Sequence, residues 1–183
     1  SENCVYLLSY DGQLGHSPNV VWKIDDLDGE MRVAISFDGE YIAAGAFAIG
    51  PSYIYLFDKE GKELWRWRAL GSIESISISK DGGYIVAGDD AGYVYLFDKS
   101  GNLIWDKKLG ERYSLTGVHT SISEDGNIIG LGISIFAGRD KIAFLNRKGS
   151  WLLEPTEVDC WINGVSISSK GNFLLIPAEE GLF

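Results

Sequence analysis

His16 and His119 are the only histidines of this 183-residue chain, and Cys4 and Cys160 the only cysteines. Neither pair has the spacing of a metal site or of a nucleophile with its base. A histidine without a second imidazole or an adjacent nucleophile is most often a satisfied structural group. Asp89-Asp90-Ala91-Gly92 and Glu179-Glu180-Gly181 offer carboxylate pairs to a hard cation. Adjacent carboxylates at a turn, however, more often make a solvated corner. No hydrolase elbow, phosphate loop, His-Glu-x-x-His or twelve-residue calcium loop occurs. No catalytic residue, metal ligand or cofactor is therefore assigned, and a non-enzymatic role is expected.

Composition narrows the partners. The formal net charge is −10, and no basic run exceeds two residues. Phosphate backbones are bound by clustered Lys and Arg, so no nucleic-acid partner is expected. No stretch approaches the ~20 apolar residues of a membrane span, and Ser1-Glu2-Asn3-Cys4 lacks a basic region leading into an apolar block. A soluble chain with no membrane span or targeting segment is expected, its compartment unassigned with a lean to an extracytoplasmic one. The 23 glycines and 23 aromatic residues point to aromatic-rich strands joined by tight turns.

These elements recur. Tyr53-Ile54-Tyr55-Leu56-Phe57-Asp58-Lys59 returns as Tyr93-Val94-Tyr95-Leu96-Phe97-Asp98-Lys99. Around them Ser36-Phe37-Asp38-Gly39, Ser79-Lys80-Asp81-Gly82, Ser123-Glu124-Asp125-Gly126 and a degraded Ser168-Ser169-Lys170-Gly171 mark one position. The turn glycine steps from 39 to 82, 126 and 171, intervals of 43, 44 and 45. That period suits the four-stranded blade of a β-propeller. In the second copy the strands are expected near 74–79, 84–88, 93–97 and 103–107, with a type I′ hairpin turn at Asp81-Gly82 and a tight glycine turn at Ser100-Gly101. Strand 93–97 is apolar on both sides, as a strand sandwiched between neighbouring blades must be.

The repeat resembles those of WD-repeat-like and pyrroloquinoline-quinone-like β-propellers. Trp65 and Trp105 stand four residues after Gly61 and Gly101, similar to the tryptophan-docking position of quinoprotein-type blades. The third copy departs, with Leu153 there and Trp151 two residues earlier. The resemblance implies an all-β fold with a partial blade at 1–25, blades at 26–69, 70–109 and 110–156, and a partial blade at 157–183. Quinoprotein dehydrogenases would need a catalytic aspartate, calcium ligands and a vicinal cysteine pair, none of which this sequence supplies. Both tryptophans are read as blade-to-blade packing.

The functional expectation is an acidic binding or scaffold module mediating protein–protein interaction. The alternative is a ligand- or cofactor-binding propeller with a site at the axial mouth. His119 aligns with Arg32, Ser75 and Gly164 at the start of the innermost strand, and candidate ligand contacts are Arg32, Glu74, Arg112, Tyr113, His119 and Trp161. An axial pocket lined by three or more of them would favour the alternative. A partner-binding patch is expected at Phe47, Ile49, Ile135 and Phe136, on loops 46–52 and 133–140. The upper end, where blades connect, collects twelve acidic residues, among them Asp25, Glu74, Asp89, Asp90, Glu157 and Asp159, against Arg32, Arg112, Arg139 and Lys141. Such a field steers cationic partners. Strand counting gives sixteen, four blades if residues 3–8 pair with 172–176 in a shared closing blade. The favoured reading is part of a larger seven- or eight-bladed ring, whose remainder or a second copy of the chain would be the partner. Under ring closure Cys4 and Cys160 would lie two strands apart in the same blade, roughly twice ~4.8 Å and beyond the ~7 Å reach of a disulfide, so no bridge between them is expected.

Overall fold

A computed structural model describes residues 4–14, 17–25, 27, 29–48, 50–110 and 115–179. Its elements are strands throughout, with no helix among the described residues. β1 (Val5–Ser9) and β2 (Asn19–Ile24) form a two-stranded sheet, and three four-stranded antiparallel sheets follow in simple meander order. Blade one holds β3 (Glu30–Ile35), β4 (Tyr41–Phe47), β5 (Tyr53–Asp58) and β6 (Glu63–Arg68). Blade two holds β7 (Ile73–Ile78), β8 (Tyr84–Asp89), β9 (Tyr93–Asp98) and β10 (Leu103–Lys108). Blade three holds β11 (Leu115–Ile122), β12 (Ile128–Ile135), β13 (Lys141–Asn146) and β14 (Trp151–Glu157). In the last set, β15 (Trp161–Ile162) pairs with β18 (Ala178–Glu179) and β16 (Ser166–Ile167) with β17 (Leu174–Leu175), a first and second strand each broken midway.

The repeated turn explains why the strands stop where they do. Ser79 Oγ accepts the Tyr84 N–H and donates to Asp81, whose carboxylate accepts the Gly83 N–H at 2.9 Å. Gly82 N–H closes onto the Ser79 carbonyl with φ +68°. Ser36–Asp38 and Ser123–Asp125 repeat these bonds. The type I′ turn expected at Asp81-Gly82 does not form. Asp81 and Ser100 keep negative φ, and only the following glycine is left-handed, so each is a type I turn closed by a left-handed glycine. The Asp side chain holds the backbone two residues on, which favours that form.

Blades pack face to face. Ile85, Ala87, Tyr95 and Phe97 meet Ala43, Ile54 and Leu56 of blade one, while Val86, Val94 and Leu96 meet Val118, Ile129 and Leu131 of blade three. A tryptophan docking recurs at three junctions and a tyrosine docking at two. Trp22, Trp65 and Trp105 donate their indole N–H to Lys59, Lys99 and Arg147 carbonyls at 2.8, 3.0 and 2.9 Å, lying against the turn glycine of the next blade. Tyr41 and Tyr84 lie against Gly82 and Gly126 of the next blade, capped by Lys99 and Arg147 at 4.1 and 4.6 Å.

Several expectations change. β4 runs through Phe47 and β12 through Ile135, so the two longer loops begin as strand. Asp89 does not belong to the acidic surface. It is fully buried and accepts the Gly71 and Tyr93 N–H groups and the Tyr95 hydroxyl, at 3.0, 2.8 and 2.7 Å. Asp90 accepts the Ser72 N–H, so this carboxylate pair holds backbone rather than forming a solvated corner. Among the described residues, β1 pairs with β2 alone and β17 with β16 alone, so these strands form no shared closing blade. Both cysteines are free.

Candidate functional site

Register brings the candidate residues to one height. Arg32 pairs with Gly45 across β3–β4, Ser75 with Gly88 across β7–β8, and His119 with Gly132 across β11–β12. The glycines let the next innermost strand approach. A Cβ on Gly88 would lie 2.3 Å from the Val118 carbonyl oxygen. The innermost strands therefore converge, and between them lies a hollow of about 540 Å³ lined by Arg32, Glu74, Ser75, His119, Thr120 and Asn163. Val33 and Ile76, one residue beyond Arg32 and Ser75, and Val165, in the break between β15 and β16, add aliphatic atoms to its lining.

Each polar group has a distinct state. Arg32 Nε donates to the Glu74 carbonyl at 3.2 Å, one of its amino groups stands 3.7 Å from the Glu30 carboxylate, and the guanidinium lies 5.2 Å from the centre of the Phe47 ring. Burial pushes the half-buried Glu74 carboxyl above the usual range; Arg32 opposes this and Asp90 adds to it. Burial holds the His119 imidazole below its ordinary value, with Asp140 opposing and Arg32 assisting, so the ring is neutral at pH 7. The Ser75 hydroxyl bonds the Val118 carbonyl and the Thr120 hydroxyl, both at 3.0 Å. At the opposite end Ile35, Ile78, Ile122 and Ile167, one from each innermost strand, line a separate hollow of about 290 Å³.

Of the six sequence candidates, Arg32, Glu74 and His119 share this hollow, while Arg112 and Tyr113 lie outside the described residues. Trp161 lines a different hollow, of about 350 Å³, with Arg139, Asp140 and Cys160. The break at 163–165 divides its short strand β15 from β16, which continues the axial wall. Of the expected apolar patch, Phe136 is 70% exposed, Phe47 lies under Arg32, and Ile135 packs against the blade-three core. Ile49 lies outside the described residues. Phe47 ends β4 of blade one and Phe136 follows β12 of blade three. Ser75, Thr120 and Asn163 were missed as site residues. Their signal was alignment with, or immediately beside, Arg32, His119 and Gly164. Among the described residues no three His, Cys, Asp or Glu side chains group as a metal site, and no helix is long and apolar enough to cross a membrane.

No protein-family model matches the sequence, and no curated protein matches it. Among solved structures, the chain is similar to the Dos1 propeller, with a TM-score of 0.65 at 16% identity. The likeness covers 86% of this chain but 41% of that one, so the chain spans less than half the length of its structural neighbour. At that identity the likeness establishes a β-propeller fold.

Proposed function

We propose that this chain is a non-enzymatic binding module of β-propeller type, acting in protein–protein interaction through its axial mouth. One observation carries the reading: Arg32, Glu74 and His119, from three separate blades, converge on one hollow although blade packing does not require titratable groups there, which meets the condition stated for the axial-site alternative and moves the proposed contact from the loops to the axial mouth. The three tryptophan dockings support a likeness to quinoprotein-type blades over WD-repeat blades. The exposed Tyr6 and Leu8 on β1 and Leu175 on β17 are faces that a further blade would cover, from a larger ring or a second copy.

A second reading uses exposed Phe136 as the contact instead. Photo-crosslinking distinguishes them. A crosslinkable residue at Asn163 is expected to capture the partner, and one at Phe136 or Lys170 is not. Capture from Phe136 alone would replace the axial reading with the second.

A further inference from the structure

The chemistry of the axial hollow identifies the group it takes, given the axial reading above. We propose that the hollow receives a basic side chain of a partner protein, whose ammonium or guanidinium group meets the Glu74 carboxylate. Among the described residues that carboxylate accepts no hydrogen bond, although it stands half-buried in the hollow. A carboxylate removed from water without a donor is unfavourably placed, and a charged donor is the group that best restores it. Arg32 acts on the Glu74 carboxylate only through its field and donates no hydrogen bond to it. It directs Nε to the Glu74 backbone carbonyl and lays its guanidinium over Phe47, near Glu30.

The surroundings select a cation on a stem. His119 is neutral at pH 7 and adds no competing charge, and Asp90 contributes further negative potential. The net charge of −10 steers cations toward the molecule. Val33, Ile76 and Val165 add aliphatic atoms to the lining, suited to the methylenes of lysine or arginine, whose heads remain polar while their stems pack. The isoleucines at the far end of the innermost strands line a separate hollow that shares no residue with the polar one.

The test is an amide NMR titration with the peptide Ac-Ala-Lys-Ala-NH2, with n-butylammonium and methyl phosphate as further probes. The lysine peptide is expected to move the amides of Val33, Ser75 and Asn163, and to bind more tightly than n-butylammonium. Glu74→Gln should weaken it at least tenfold, and Glu74→Ala, the second variant, should do the same. Glu124→Gln removes the same charge at the opposite end, beside Lys80, and should change binding less than twofold. Equal weakening by Glu74→Gln and Glu124→Gln would overturn the proposal in favour of a general field. Equal binding of n-butylammonium would overturn the partner-protein source. If methyl phosphate moves those amides and the lysine peptide does not, the axial site stands and its cationic ligand is wrong. If no probe moves them, both readings fall.

Discussion

Gly39, Gly82 and Gly126 occupy the same turn with φ of +73°, +68° and +68°, so alanine at each meets the same backbone penalty. For an L-residue in the left-handed region that is about 1–2 kcal/mol. Their surroundings differ. A Cβ on Gly39 meets nothing within 4 Å, whereas on Gly82 it would lie 2.4 Å from Tyr41 Cδ2 and 2.8 Å from Cγ, and on Gly126 2.4 Å from Tyr84 Cδ2. The clash is with the base of the ring, which cannot swing away without leaving the junction. Overpacking of that kind costs about 1–3 kcal/mol more. Gly39→Ala should therefore lower stability by about 1–2 kcal/mol, and Gly82→Ala and Gly126→Ala by about 2–5. In a chain of this size the melting point falls ~2–4 °C per kcal/mol. Urea unfolding followed by tryptophan fluorescence, with unchanged slope, reads the difference. Tyr41→Ala combined with Gly82→Ala should recover part of the loss, because the first removes what the second strikes. Equal losses at Gly39 and Gly82, or strict additivity in the double variant, would refute the docking argument.

Three further outcomes follow from the same contacts. Trp65→Ala should cost about 3 kcal/mol, the low end for removing a large aromatic because this ring is half-buried. Trp65→Phe keeps a ring but loses the bond to the Lys99 carbonyl, and should cost about 1 kcal/mol in the same urea assay. Acid should weaken the fold through the turns. Hydrogen bonds from Ser36, Gly83, Asn102 and Ser123 are the leading causes that hold Asp38, Asp81, Asp98 and Asp125 below the ordinary 3.8. Folded values below unfolded ones mean stability that is present above pH 3.8 and lost as pH falls through the lower values. Asp125→Asn should flatten that limb of a melting-point–pH curve, and an unchanged limb would count against it. The His119 imidazole should titrate below 6.5 by NMR, so its contribution is present above 6.5 and lost as pH falls through the folded value. Arg32→Met should move that titration upward, and no movement would mean that the two groups do not share the hollow.

The fold was legible because its punctuation is chemical. Ser-x-Asp-Gly marks every turn between first and second strands in the three full blades, and the expected strands of blade two differ from β7–β10 by one residue at most ends. What was not legible depended on partners distant in sequence. Asp89-Asp90 reads as a solvated corner until the Tyr95 hydroxyl and the Gly71 and Ser72 amides are seen to close on it. The type I′ expectation failed because an Asp side chain bonded two residues ahead keeps its own φ negative. Trp161 lies off the axial hollow because the strand it begins breaks at 163–165, and nothing in the local sequence marks that break.

The site became visible where the repeats disagree. Gly82, Gly101, Tyr41, Trp65 and the Ser–Asp pairs recur because each blade must present the same docking surface to the next. A position that faces a neighbouring blade is held to one solution by packing, and a position that faces the axis is not. Arg32, Ser75, His119 and Gly164 share one place in the repeat and have four different chemistries, and the three that pair with a described second strand all oppose a glycine. Uniform backbone with divergent side chains on one ring is the arrangement expected where function, rather than folding, chooses the residue. Replacing Arg32 with Ser, the residue at that place in blade two, should consequently change the unfolding free energy by about 1 kcal/mol at most, because the Arg32 side chain is part-exposed and belongs to no core. A loss comparable to that of Gly82→Ala would show that these residues are chosen for stability after all.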